Sequence, residues 1–137
     1  MFDKLNHVTL SGVEYPIKCD MLVLERIQNE YGSIAKFERE IISWEPVLDE
    51  NGEEVLNDSG IRKVKSKLPS VKAVNDALYW MVTEGMDIEA AKKNEPCKEI
   101  KREELLRCVD MPYMKLADLV HDEFSRCFED PKNEETT

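Results

Sequence analysis

The side chains here best suited to nucleophilic or metal chemistry are four cysteines and two histidines: Cys19, Cys97, Cys108, Cys127, His7 and His121. No two cysteines form a C-x-x-C pair. Structural zinc asks for Cys and His ligands at short, characteristic spacings. A set of Cys97, Cys108, His121 and Cys127 fits no such spacing, so no metal is expected. Nucleophilic catalysis needs a thiol or hydroxyl activated by a neighbouring base. Neither histidine stands in such a motif with a Ser or Cys. The five glycines are scattered singly, so no Gly-rich loop is available to cradle a phosphate. A calcium loop beginning at Asp49 requires Gly at its sixth position, where Glu54 stands. Asp and Glu are abundant but fall on polar helix faces rather than converging as an acid and a base. These residues point away from an enzyme and call for no cofactor.

Aromatic residues offer a different chemistry, since they are enriched at interface hot spots. Tyr79 and Trp80 are neighbours, and in a helix they point about 100° apart. With Trp80 turned to the core, Tyr79 is left to reach the surface or a second copy. Trp44, Tyr79, Trp80 and Val82 are therefore the candidate partner-binding residues.

These candidates depend on one central element, Ser70–Gly85. Ser70 suits an N-cap, and Gly85 suits the left-handed residue that closes a helix. Val71, Val74, Leu78 and Met81 recur between them at helical spacing. Upstream, Val8–Leu10 and Val13–Ile17 alternate about Ser11-Gly12, which predicts a hairpin with one apolar face holding Val13, Tyr15 and Ile17. Asp20 caps a helix over Met21–Tyr31, whose buried stripe reads Met21, Leu24, Ile27 and Tyr31. Gly32 ends it, and Ser33 caps a second helix over Ile34–Ser43. Downstream, Asp87 caps a short helix that Asn94-Glu95-Pro96 breaks. Arg102–Val109 reads as another helix, with Lys101 a poor cap. Asp110 and Pro112 open the last one, with Asp118, Asp122, Glu123 and Arg126 in solvent. The fold class is mainly α (α+β): an N-terminal β-hairpin on a bundle of about five helices.

Residues 1–130 are expected to form a single globular domain, with 131–137 a disordered tail. Within it, residues 44–69 shift in composition and read as a protruding, mobile arm. Asn51-Gly52 between Val47-Leu48 and Val55-Leu56 predicts a two-residue hairpin turn. That register opposes Glu50 to Glu53 and Asp49 to Glu54, which like charge disfavours. No internal repeat is evident.

The chain has 137 residues, 42% hydrophobic and 35% charged, a globular rather than disordered balance. Asp and Glu number 29 against 19 Lys and Arg, a formal net charge of -10. Nucleic acid is a poor partner for such a chain. The one basic cluster, Arg62 to Lys67, follows the acidic stretch Asp49–Glu54 and reads as a solvated loop. The longest apolar runs, Met21–Leu24 and Ala77–Val82, are far short of the ~20 residues that span a bilayer. The N-terminus lacks the basic start and apolar block of a signal peptide, so the expected location is the cytoplasm, with reduced cysteines.

The order of hairpin, capped helix, Tyr-Gly and Ser-capped helix over Val8–Ile41, VTLSGVEYPIKCDMLVLERIQNEYGSIAKFEREI, resembles the N-terminal part of phage tail assembly chaperones. ALYWMVTEGMDI, Ala77–Ile88, and the stretch from Glu104-Leu105-Leu106 to Val120 are similar to the family's second half. The arm is longer than the family's connection, and Lys101 stands where a capping Ser or Thr is usual. The resemblance implies a non-enzymatic protein of the bacterial host's cytoplasm. It would bind the tape-measure protein, help recruit tail-tube protein subunits, and possess no catalytic residues. Alternatives are a structural tail or head–tail protein that enters the particle and a generic bacterial adaptor.

If Ser70–Gly85 is the central element, Leu78→Ala should cost about 2–5 kcal/mol in denaturant unfolding. A loss under ~1 kcal/mol would show that this helix is peripheral.

Overall fold

A computed structural model describes residues 5–129; the expected tail at 131–137 lies outside the described residues. Strands β1 (Asn6–Leu10) and β2 (Val13–Ile17) pair antiparallel, with Leu10 opposite Val13 and Val8 opposite Tyr15. Ser11 and Gly12 take φ of 50° and 80°, the two left-handed residues of the turn that matches strand twist. Val8, Leu10 and Ile17 are buried. Val13, expected on the apolar face, is 51% exposed because it sits beside the turn, at the tip of the hairpin.

Helix α1 (Met21–Tyr31) starts where Asp20 Oδ1 accepts from the Val23 N–H, and α2 (Ile34–Ile41) where Ser33 Oγ accepts from the Lys36 N–H. Val23 and Ile27 supply the buried stripe of α1, with Leu24 and Tyr31 half-buried. Met21 does not join it: it is 70% exposed, on the first turn of the helix.

Helix α3 (Val71–Lys92) is a single helix of 22 residues. It does not stop at Gly85, and no separate helix begins at Asp87. It ends instead at Asn94, whose φ is 55°. There Glu95 N–H bonds the Ala90 carbonyl and Asn94 N–H the Ala91 carbonyl, the paired bonds of a Schellman ending. Gly85 is needed for a different reason. An added Cβ would lie 2.6 Å from the Pro16 carbonyl oxygen and 2.9 Å from the Ile17 nitrogen. The backbone of β2 thus rests directly on the helix, and the Lys18 N–H reaches the Met81 carbonyl at 3.0 Å. Val74, Leu78 and Met81 are buried as expected, but Val71, on the first turn, is 50% exposed.

Helices α4 (Arg102–Arg107) and α5 (Tyr113–Arg126) complete the bundle; α4 has no side-chain cap at Lys101. α3 touches β2, α1, α2, α4 and α5, so the core wraps around it. Phe37 of α2 meets Phe124 of α5 at 5.3 Å and Tyr31 at 5.2 Å between ring centroids.

Two buried carboxylates cross-link these elements. Asp76 on α3 accepts from Tyr31 Oη, Lys72 Nζ and Arg102 Nη2, each at 2.8 Å. Glu123 on α5, expected in solvent, is 1% exposed. It accepts from Asn6 Nδ2 at 3.0 Å, the Cys19 N–H at 3.1 Å and Arg126 Nη1 at 2.7 Å.

The arm contains β3 (Trp44–Pro46) paired antiparallel with β4 (Val64–Ser66). The chain does reverse at Asn51-Gly52, but in a longer turn closed by Asp49 and Glu53, with the register shifted by one residue and a second such turn following. Leu48 pairs with Glu54 and Leu56 with Arg62. Each pair is closed by the same turn. Asp49 and Asn57 each accept, through Oδ1, from the backbone N–H groups two and four residues on. Gly52 and Gly60 each take φ of 80°. Contrary to the expectation of no internal repeat, the sequence beneath this is an octapeptide repeat, VLDENGEE at 47–54 and VLNDSGIR at 55–62, too short and too divergent to stand out until its two turns are seen to match. Val55 N–H bonds the Val47 carbonyl, Lys63 N–H the Val55 carbonyl, and Val47 N–H the Lys63 carbonyl, at 2.8–3.0 Å. The third pair, Pro46 with Val64, closes the ring, so the arm is a small pseudo-threefold unit. The register is shifted by one residue because Asp49 Oδ1 holds a longer turn through the Asn51 and Glu53 N–H groups, which sets Leu48 opposite Glu54.

Replacing a mid-helix Gly with Ala usually stabilises by up to ~1 kcal/mol. Here the sign should reverse. Gly85→Ala is expected to cost at least ~1–3 kcal/mol by overpacking against Pro16, read as a lower urea midpoint. A stabilised variant would refute the close approach.

Candidate functional site

The four candidate residues occupy four different environments. Trp44 opens β3 at 40% exposure, with the Arg62 guanidinium 5.3 Å from its ring centre and Arg62 also 3.1 Å from Glu54. Tyr79 does not project freely: it is half-buried, and its hydroxyl donates to the Ile100 carbonyl at 2.9 Å, tying down the chain that leads to α4. Val82 is fully buried in the core. It cannot meet a partner, because α3 is covered on more sides than one apolar stripe requires. Trp80 alone of the three on α3 opens onto a groove.

That groove, about 350 Å³, runs between α1 and α3. Leu22 and Val23 line one wall, Trp80 and Thr83 the other, and Glu25, Arg26, Glu84 and Asp87 its polar rim. The Arg26 guanidinium lies 5.7 Å from the Trp80 ring centre, a cation–π contact that holds the indole in place. Leu22 is 64% exposed at the mouth. The groove thus has a mainly polar lining, with Leu22 and Trp80 as its exposed apolar part.

Its electrostatics centre on Glu84. Burial first, then a hydrogen bond to Asp20 and the charges of Asp20 and Asp87, push the Glu84 carboxyl up to about 8. Glu84 is therefore protonated at neutral pH and donates to the carboxylate that caps α1. Asp76 behaves oppositely. Burial raises its pKa, but the donors Lys72, Tyr31 and Arg102 outweigh that and hold it below the ordinary value. Burial and the neighbouring Cys127 push the Cys19 thiol up, and burial raises Cys127 too, so neither is poised as a nucleophile.

The four cysteines are free. Among the described residues, no group of three or more His, Cys, Asp and Glu is placed to hold a metal ion, and no helix is long and apolar enough to cross a membrane. His7 on β1 approaches Glu89 on α3 at 3.7 Å, and His121 on α5 approaches Glu38 on α2 at 3.8 Å. Leu22, Arg26 and Glu84 were not singled out by the sequence, and Asp87 only as a helix cap. A signal for them exists: Met21-Leu22-Val23-Leu24 is wider than one helical stripe needs, and Glu84 is the lone acid directly after the apolar half of α3. Comparison with protein-family models, with curated proteins and with solved structures finds no match to this chain.

The folded state holds a proton on Glu84 that an unfolded chain, with the ordinary value of 4.5, releases. The stabilising contribution of this group therefore falls as pH rises from about 5 to about 8. Glu84→Gln keeps a donor toward Asp20 without the charge. It should flatten the fall of Tm over that range and raise Tm near pH 8.5. Parallel Tm profiles for the two proteins would show that the proton is not held there.

Proposed function

We propose that this chain is a non-enzymatic phage tail assembly chaperone that binds a tape-measure protein and helps recruit tail-tube subunits in the host cytoplasm. One observation carries the reading. The elements on which the resemblance over Val8–Ile41 rests are present in order: the β1–β2 hairpin, Asp20-capped α1, the Tyr31-Gly32-Ser33 corner and Ser33-capped α2. The α1–α3 groove adds a physical means. An amphipathic helix docks by setting its apolar side chains against apolar residues of a groove, with charged residues beside them. Leu22 and Trp80 would take those side chains, and Glu25 and Asp87 would meet basic residues beside them. The excess of negative charge keeps several copies apart and in solution while they coat one long partner.

Co-expression with the tape-measure protein of its own gene cluster tests the proposal. The partner is expected to shift from the insoluble to the soluble fraction and to co-purify with this chain. Leu22→Glu should abolish the rescue while leaving the helical circular dichroism unchanged. A partner that remains equally insoluble with and without this chain would rule the function out.

A further inference from the structure

Two of the four free cysteines meet across the core. Cys19 stands between the end of β2 and Asp20, the cap of α1, and is buried. Cys127 ends α5 with a helical backbone, φ -65° and ψ -17°, and packs half-buried against the same core. The Cys19 thiol donates a hydrogen bond to the Cys127 sulfur. The backbone supports this contact independently. The Cys19 N–H donates to Glu123 Oε2 at 3.1 Å, and Glu123 precedes Cys127 by about one helical turn. Residues four apart share a helix face, so the face of α5 that brings Glu123 to Cys19 brings Cys127 there too. Glu123 is itself held by Asn6 and Arg126, which fixes the approach.

The other two thiols are engaged elsewhere. Cys97 is exposed and bonds Asp87 and the Lys98 carbonyl. Cys108 accepts from the Tyr15 hydroxyl. Cys19 and Cys127 also differ from each other in access, one buried and one partly open to solvent. An outer thiol that an oxidant can reach, backed by an inner thiol in contact with it, is the arrangement that turns a mixed disulfide into an internal one.

We propose that Cys19 and Cys127 are a redox-sensitive pair, which a small-molecule disulfide such as oxidised glutathione converts into an internal disulfide joining the β2–α1 junction to the end of α5. The Cys127 thiolate attacks one sulfur of glutathione disulfide, forms a mixed disulfide and expels one glutathione thiolate. The Cys19 thiolate then attacks the Cys127 sulfur, and the second glutathione thiolate leaves. Each protein thiol gives up one proton and each departing thiolate takes one. Two electrons pass to the oxidant, whose disulfide becomes two thiols. Burial holds both protein thiols above their ordinary value, so the exchange is slow at neutral pH. The loop closed by the bond takes in every helix from α1 to α5, and a long loop restricts the unfolded chain most. The inference requires nothing of the chaperone reading, since its test involves this chain alone.

The reduced full chain is incubated with oxidised glutathione under native conditions, alkylated, digested and mapped by mass spectrometry. A peptide pair joined through Cys19 and Cys127 is expected, with no glutathione retained on either. Its rate of formation should rise about tenfold per pH unit from neutral pH upward, as the thiolate fraction does. The oxidised chain should melt roughly 5 °C or more above the reduced one, and dithiothreitol should reverse the gain. Cys127→Ala should abolish both the cross-link and the gain, whereas Cys97→Ser should keep both. Cys19→Ala should stop at glutathione held on Cys127. Cys19 and Cys127 that both remain open to alkylation would overturn the proposal. So would a parent chain that retains glutathione on Cys127, cross-links formed only through Cys97 or Cys108, or a Cys19–Cys127 bond that leaves Tm unchanged.

Discussion

The fold depends on how closely a strand backbone approaches a helix. Burial of apolar surface is non-directional; it draws a hairpin onto a helix without choosing where. At Gly85 the choice is made by shape. The absent Cβ leaves a notch in α3 that the Pro16 carbonyl fills, and the Lys18 N–H then reaches the Met81 carbonyl one helical turn earlier. Proline is suited to this contact, since it brings no N–H that the helix surface would leave unsatisfied. With β2 seated, Ile17 and Cys19 enter the core and α1 begins directly after. The position of α1, and so one wall of the groove, follows from a side chain that is missing.

The two buried carboxylates supply the directionality that packing lacks. Glu123 joins α5 to β1 and to the β2–α1 junction, across separations of 117 and 104 residues. Asp76 joins α3 to the end of α1 and the start of α4. Such groups add little net stability relative to an apolar substitute, yet are costly to leave half-paired. Here they are fully served: among the described residues no buried side-chain nitrogen or oxygen lacks a partner. Each carboxylate therefore penalises any arrangement of helices that would orphan it, which favours one register of the bundle over its alternatives.

What could be read from the sequence follows the range of the interaction involved. Asp20, Ser33 and Ser70 act on backbone groups three residues away, and the helix starts they predict are present. The Ser11-Gly12 turn is equally local. Gly85 misleads because a glycine that ends a helix and one that admits a neighbour look alike until Pro16 is placed against it. Glu123 misleads for the same reason: its partners Asn6 and Cys19 lie more than 100 residues away. Val71 and Met21 have the right period but sit on first turns, which periodicity alone cannot tell from turns the core covers. The octapeptide in the arm is missed, although both of its copies stand in the sequence. The Val-Leu pairs at 47–48 and 55–56 read as the two strands of one hairpin only when the Asn57–Gly60 turn is set aside. Of the candidate site, the divergence of Tyr79 and Trp80 follows from helix geometry, whereas the groove needs α1 beside α3.

The groove and the arm differ in how they are held. The walls of the groove are α1 and α3, whose inner faces form the core, so its shape is set before anything binds. The arm joins the rest of the chain around one base, through Lys67 N–H to the Ser43 carbonyl and Ser70 N–H to the Glu40 carbonyl. Tyr113 steadies that base by donating to the Pro69 carbonyl. Contacts made on the arm therefore need not repack the core or alter the groove.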